Sequence, residues 1–192
     1  KYITKQNLNL HSQYPFCEKK KKKKKKNKIV EYKIEAFMAK KALSNAGWLL
    51  PIDQKKWRLL DAERNFAKAD LNESDKGQRL DILAYEADTN SFVVLELKAP
   101  GDKQPEKIER AETELETYTG VIRNCLKDAN DFYSMPDDDL NIAATQIKGY
   151  IVCAAGEAVN DKKTRWGIIT YEGELVENDI ESITFKIVKD PD

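Results

Sequence analysis

Two strand-like runs, Gln78 to Ala87 and Ser91 to Ala99, flank Asp88-Thr89-Asn90, and no other stretch of the chain restricts its fold as tightly. Asp, Thr and Asn have the turn chemistry that closes a hairpin, and Pro100-Gly101 ends the second run. That run reads Phe92-Val93-Val94-Leu95-Glu96-Leu97-Lys98. Side chains alternate across a strand, so Glu96 and Lys98 share one face while Val93, Leu95 and Leu97 share the other. A charged pair at the end of so apolar a strand is costly unless it has partners or a purpose.

The first run contributes Asp81, within Gln78-Arg79-Leu80-Asp81-Ile82-Leu83. If Asp88 pairs with Ser91 across the turn, Asp81 lies opposite Lys98 and Leu83 opposite Glu96. Asp81 and Glu96 are then diagonal neighbours, roughly 7–8 Å apart. A one-residue slip would send Asp81 to the opposite face, so the turn decides the argument.

Around this hairpin the pattern is that of an α/β chain. Val30, Ile34, Phe37, Met38 and Leu43 recur at helical spacing from Ile29 onward, and Asn45-Ala46-Gly47 supplies a stop. Residues 48–76, broken by Pro51, read as a loop-rich connection. Residues 105–127 predict a long amphipathic helix with Ile108, Ala111, Leu115, Tyr118, Ile122 and Leu126 on one face. The acid-rich Pro136 to Asp139 reads as a loop. Strands follow at Ile147 to Ala154 and Trp166 to Tyr171, then a Glu172-Gly173 turn and a last strand near Ile183 to Val188. The order of helix, strand, strand, helix, strand predicts a mixed central sheet flanked by helices. The long helix can cross over between parallel neighbours.

Charge divides the chain in two. There are 33 basic and 33 acidic residues, but eleven of the lysines and only Glu18 among the acids lie in residues 1–28. From Ile29 onward 22 basic and 32 acidic residues remain, a net charge of −10. Eight consecutive lysines, 19–26, repel one another and cannot join a core. Residues 1–28 therefore read as a basic arm or linker, and 29–192 as one domain. The arm is either a solvated tail or a non-specific nucleic-acid tether acting through counterion release.

Composition also removes chemistries. The single histidine, His11, lies in the arm, so the body cannot build a His-rich zinc site or a Ser-His-Asp triad. Cys17, Cys125 and Cys153 are widely spaced, which suits neither a zinc ribbon nor a disulfide framework. No apolar run approaches the ~20 residues that span a bilayer, and no signal peptide is visible. A reducing, cytoplasmic setting is the expectation.

What survives is carboxylate chemistry. Mg²⁺ prefers oxygen ligands and keeps several waters when held by one or two carboxylates. Such an ion lowers the pKa of a bound water and stabilises charge gathering on a phosphodiester. A nearby Lys can orient the attacking water and neutralise transition-state charge. Asp81, Glu96 and Lys98 make hydrolysis without a His possible.

Asp81, fourteen intervening residues and then Glu96-Leu97-Lys98 resembles the PD-(D/E)xK restriction-endonuclease-like superfamily, over roughly residues 29 to 155. Leu80 stands where the nominal Pro of that motif would be. The resemblance implies a helix-strand-strand-helix-strand core, Asp81 and Glu96 as ligands of Mg²⁺ or Mn²⁺, and Lys98 as a catalytic group. It also implies a further metal-shell acid on the first helix, Glu31 or Glu35, which lie at i and i+4. The segment from Glu31 to Trp48 resembles the opening helix of the nuclease domain in type I restriction motor subunits, which favours Glu31. Relatives with a Gln and, four residues later, a Tyr on the next helix resemble Glu114 to Tyr118 here, with Glu in place of Gln. Tyr118 is thereby a substrate-binding candidate.

The expectation is a metal-dependent nuclease acting on DNA, endo- or exonucleolytic, with a protein partner or larger parent complex to help an acidic body hold a polyanion. Gln78 and Arg79 are candidates for touching a phosphate. Three rivals remain: a catalytically inactive nuclease-like fold serving as an interaction or assembly module, a plain salt-bridge cluster at a sheet edge, and an acidic protein that mimics DNA, which the charge permits but no motif supports.

Overall fold

In the computed structural model, residues 31–47, 52–65, 79–98, 104–134, 141–156, 164–176 and 179–191 are described. The lysine arm, Gln78, Pro100-Gly101 and the acid-rich loop lie outside them. The first helix, α1, spans Glu31–Ser44 and turns Ile34, Glu35, Met38 and Ala42 inward. Leu43 is 61% exposed and does not belong to that stripe, contrary to its apolar spacing. The expected stop at Asn45-Ala46-Gly47 holds: Gly47 adopts φ +85°, and its N–H donates to the Ala42 carbonyl at 2.8 Å.

Six strands follow: β1 (Trp57–Asn65), β2 (Arg79–Glu86), β3 (Ser91–Leu97), β4 (Gln146–Ala154), β5 (Gly167–Val176) and β6 (Asp179–Lys189). Between β3 and β4 run α2 (Gln104–Asn124) and α3 (Leu126–Tyr133), so the single long helix expected over 105–127 is broken at Cys125. The strands lie side by side in chain order in one sheet. β1–β2, β2–β3 and β5–β6 are antiparallel, while β3–β4 and β4–β5 are parallel. The architecture is α/β with a mixed sheet, and α2–α3 form the crossover that a parallel β3–β4 pair requires.

Each face of the sheet is covered. Ile34, Met38 and Ala42 pack with Ile82, Ala84, Val93, Leu95, Leu97, Tyr150 and Val152 on the α1 side. Ile108, Ala111, Leu115, Tyr118 and Ile122 pack with Leu83, Tyr85, Phe92, Val94 and Ile151 on the α2 side. Burial on both faces explains why the central strands read as nearly continuous apolar runs. The alternation read in β3 is correct: Val93, Leu95 and Leu97 face α1, which sends Glu96 and Lys98 toward α2.

Two expectations for the strands fail for local reasons. β1 occupies part of the stretch read as a loop-rich connection. Its pairing slips between Leu59, opposite Ala84, and Asp61, opposite Leu83, and this bulge interrupts the two-residue period. Glu172-Gly173 is no turn, because β5 continues to Val176 with Gly173 opposite Ile183. A Cβ on Gly173 would lie 2.9 Å from the Ser182 carbonyl oxygen, so glycine there permits close strand approach rather than chain reversal. No described helix is long and apolar enough to cross a membrane.

Candidate functional site

The hairpin closes through a four-residue loop. Ala87–Thr89 form a single 3₁₀ turn, and Asn90 follows in the left-handed conformation, φ 48° and ψ 52°. Glu86, not Asp88, therefore pairs with Ser91, and Ile82 pairs with Leu95. The register is two residues from the one expected. A shift of two preserves the face of every side chain, and the register that ends at Ile82 opposite Leu95, continued by one residue, sets Asp81 against Glu96 rather than Lys98. There the carboxylate takes over a ladder bond, since Asp81 Oδ2 accepts the Leu97 N–H at 2.7 Å.

Behind this pair lies an ion network that closes against α2. Lys98 Nζ donates to Glu96 Oε1 at 2.6 Å and to Glu114 Oε2 at 2.8 Å. Glu114 Oε1 accepts from Arg110 Nε at 2.7 Å, one helical turn earlier. Glu96, Lys98 and Glu114 are 4%, 7% and 5% exposed, whereas the Arg110 side chain is 76% exposed. The Lys98 backbone is also held: its N–H donates to Val152 O at 2.8 Å, and its carbonyl accepts from Tyr171 Oη at 3.2 Å. Lys98 is thus immobilised at both ends.

Burial raises the Asp81 carboxyl to about 6, against the Leu97 hydrogen bond and the Lys98 charge, with Glu31 and Glu114 adding to the rise. Burial, and then the Asp81 charge, pushes Glu96 up to about 10. Burial acts in the same sense on Glu114, but its contacts with Glu96, Lys98 and Arg110 outweigh that and hold it below the ordinary carboxylate range. Burial opposes the Lys98 charge, yet Glu96 and Glu114 keep its pKa above the usual lysine value. Of the two carboxylates on Lys98, Glu114 is the one whose contacts favour the charged form.

No protein-family model, curated protein or solved structure matches the chain. The side chains themselves carry the chemical reading.

The residues singled out by sequence fall into three groups. Asp81, Glu96 and Lys98 come together at one end of the β2–β3 hairpin. Glu31 is exposed at the start of α1, and its charge is felt by both Asp81 and Arg110. Glu35, 8% exposed, is on the sheet-facing side of α1 with Ile34 and Met38. Arg79 is exposed at the start of β2. Tyr118 is 1% exposed within the α2-side core, and its hydroxyl donates to the Arg79 carbonyl at 2.8 Å. Burial, reinforced by Glu96, Glu114 and Asp81, raises its pKa.

Arg110 and the bond from Glu114 to Lys98 are the additions made by the structure. Glu114 stands three residues after Ala111 and four before Tyr118, which puts an acid inside the apolar face of α2. That position was the available signal.

Among the described residues, no group of three or more His, Cys, Asp or Glu side chains is placed to hold a metal ion. Two carboxylates suffice for Mg²⁺, which fills its remaining positions with water and phosphate oxygens. Glu96 Oε2 is buried without a hydrogen-bond partner, and a cation beside it would satisfy that atom. The donor chemistry of Asp81 and Glu96 fits a hard divalent ion.

Proposed function

We propose that this protein is a metal-dependent nuclease that hydrolyses DNA phosphodiester bonds, built on a PD-(D/E)xK, restriction-endonuclease-like core. One observation carries the reading. Asp81, Glu96 and Lys98 meet at one end of the β2–β3 hairpin, and the Glu96 oxygen not bound to Lys98 is buried and unbonded. The sequence of antiparallel hairpin, crossover helix and parallel strand supports the same core.

In this reading Asp81 and Glu96 hold Mg²⁺ or Mn²⁺, with Glu31 or Glu35 completing or orienting the shell. The ion, when bound, acidifies a water and stabilises charge on the phosphodiester. Asp81 is oriented by the Leu97 N–H, so its carboxylate enters the site without rotamer freedom. Lys98, fixed by Glu96 and Glu114, offers its ammonium to the attacking water or to the phosphate. DNA is the substrate; a protein partner or the lysine arm offsets the repulsion from a body of charge −10.

Another observation favours a second reading, a nuclease-like fold retained as an interaction or assembly module. Glu96 and Lys98 are buried against α2 rather than facing an open cleft. Incubation with supercoiled, linear and single-stranded DNA in Mg²⁺ or Mn²⁺ separates the two. The nuclease reading expects cleavage that Asp81→Ala and Lys98→Ala abolish. No cleavage of any substrate by the wild type, or equal cleavage by folded variants, favours the module.

A further inference from the structure

Arg110 stands out from the acidic surface around it. Its side chain is 76% exposed, yet its Nε is bound to Glu114, a carboxylate whose own side chain is only 6% exposed. Glu114 in turn holds Lys98 Nζ at 2.8 Å. A guanidinium at the molecular surface is thereby fixed one carboxylate away from the candidate catalytic lysine.

Helix stabilisation does not account for this pair. In an i, i+4 pair the favourable order puts the acid on the N-terminal side, and here the arginine comes first. Nor does Glu114 require a second cation, since Lys98 already pairs with it inside the protein. What the contact does achieve is orientation. With Nε bound at 2.7 Å, the guanidinium is tethered beside Glu114, and among the described residues Arg110 makes no other hydrogen bond. Its two terminal nitrogens form a fork of N–H donors on a side chain that is 76% exposed. Such a fork matches two oxygens of a phosphate.

Charge leads the same way. With Asp81 and Glu96 both ionised, as a bound divalent ion would hold them, the carboxylates of Asp81, Glu96, Glu114 and Glu31 against Lys98 and Arg110 carry a formal charge of −2. One divalent ion would bring the site to neutrality without attracting a phosphodiester. A positioned donor on the surface beside the cluster is then needed to hold the substrate's phosphate.

We propose that Arg110, braced by Glu114, binds a backbone phosphate of the nucleic acid on the surface beside the Asp81–Glu96–Lys98 cluster. This inference rests on the nuclease reading for its choice of ligand, but it concerns binding and is separable from cleavage. Arg110 contacts substrate; Glu114 is a positioning residue.

The test is the affinity of a short fluorescent DNA duplex, measured by anisotropy across a salt series with Ca²⁺ in place of Mg²⁺. Arg110→Ala is expected to weaken binding by about tenfold and to reduce the salt slope by about one unit. Arg110→Lys should restore the slope but only part of the affinity, because an ammonium lacks the fork. Arg165→Ala, which removes an exposed arginine paired with Glu116 on another part of α2, should leave both within about twofold. Unchanged affinity and slope in Arg110→Ala would overturn the proposal. So would equal losses in Arg110→Ala and Arg165→Ala, or no duplex binding by the wild type. Arg110-dependent binding without cleavage in Mg²⁺ or Mn²⁺ would keep this proposal and sink the nuclease reading instead.

Discussion

The Leu97 N–H donates to Asp81 Oδ2 at 2.7 Å, so a side chain of β2 completes a ladder position that a β2 carbonyl would ordinarily fill. This one contact ties the acid of the first hairpin strand to the segment between Glu96 and Lys98. It also holds a carboxylate where burial opposes its charge.

The first consequence is a dependence of stability on pH. The Asp81 carboxyl rises from 3.8 to about 6 on folding. Between those values the native protein binds more protons than the unfolded chain, so this contribution to stability falls as pH rises through the window. Glu96, raised to about 10, continues the trend at higher pH. Thermal melts of the metal-free protein should show Asp81→Asn gaining on the wild type as pH increases across that window. Parallel curves for the two proteins would refute the assignment. Added Mg²⁺ should raise the wild-type melting temperature, more at about pH 8 than at about pH 5, because the ion competes with protons for the carboxylates.

Lys98 should prove structural as well as functional. Lys98→Met leaves Glu96 and Glu114 facing each other without the buried ammonium, a change that costs about 3–5 kcal/mol in comparable buried pairs. Lys98→Met with Glu114→Gln should recover part of that loss, since one carboxylate charge has been removed with its partner. Urea unfolding of both variants decides the matter; an additive double variant would show that the two residues are uncoupled.

At the other end of the hairpin, Glu86 supplies a stability control. It is 4% exposed and accepts from Trp57 Nε1 at 3.1 Å, while Lys148 and Thr89 bond its second oxygen. Burial opposes its ionisation, but these partners hold its pKa below the ordinary value. Its stabilisation is therefore present above pH 4.5 and is lost as pH falls through the lower folded value. Glu86→Ala is expected to cost about 2–3 kcal/mol near neutrality and less in acid. Any DNA cleavage per folded molecule should be unaffected, since Glu86 lies away from Asp81 along β2.

Gly173→Ala tests the course of the last two strands. With β5 running through Gly173, the new Cβ would meet the Ser182 carbonyl oxygen at 2.9 Å, and a loss of about 1–3 kcal/mol follows. A Glu172-Gly173 turn open to solvent would tolerate the methyl group. Chemical denaturation distinguishes the two.

Much of the site was legible because strand periodicity survives errors in pairing. The loop from Ala87 to Asn90 is longer than the turn read from Asp88-Thr89-Asn90, which shifted the register by two. Asp81, Glu96 and Lys98 nevertheless share a face, because side chains repeat every second residue. β1 was hidden by the opposite circumstance. Its bulge at Leu59/Asp61 breaks the alternation by which strands are recognised. Leu43 was misassigned because helical spacing marks a stripe without saying how far the covering sheet extends.

By itself the sequence determined the α/β alternation, the stop of α1 at Gly47 and the common face of Glu96 and Lys98. Each follows from local geometry: a period of two, a period of 3.6, or a backbone angle that glycine adopts freely. Only the tertiary structure decided that Glu114 closes on Lys98, that Arg110 is braced by Glu114, and that Asp81 bonds to Leu97. These contacts depend on how α2 docks against β3 and where β2 stops pairing. Such long-range packing sets which charges are removed from water, and hence which of them are paired, protonated or left for a ligand.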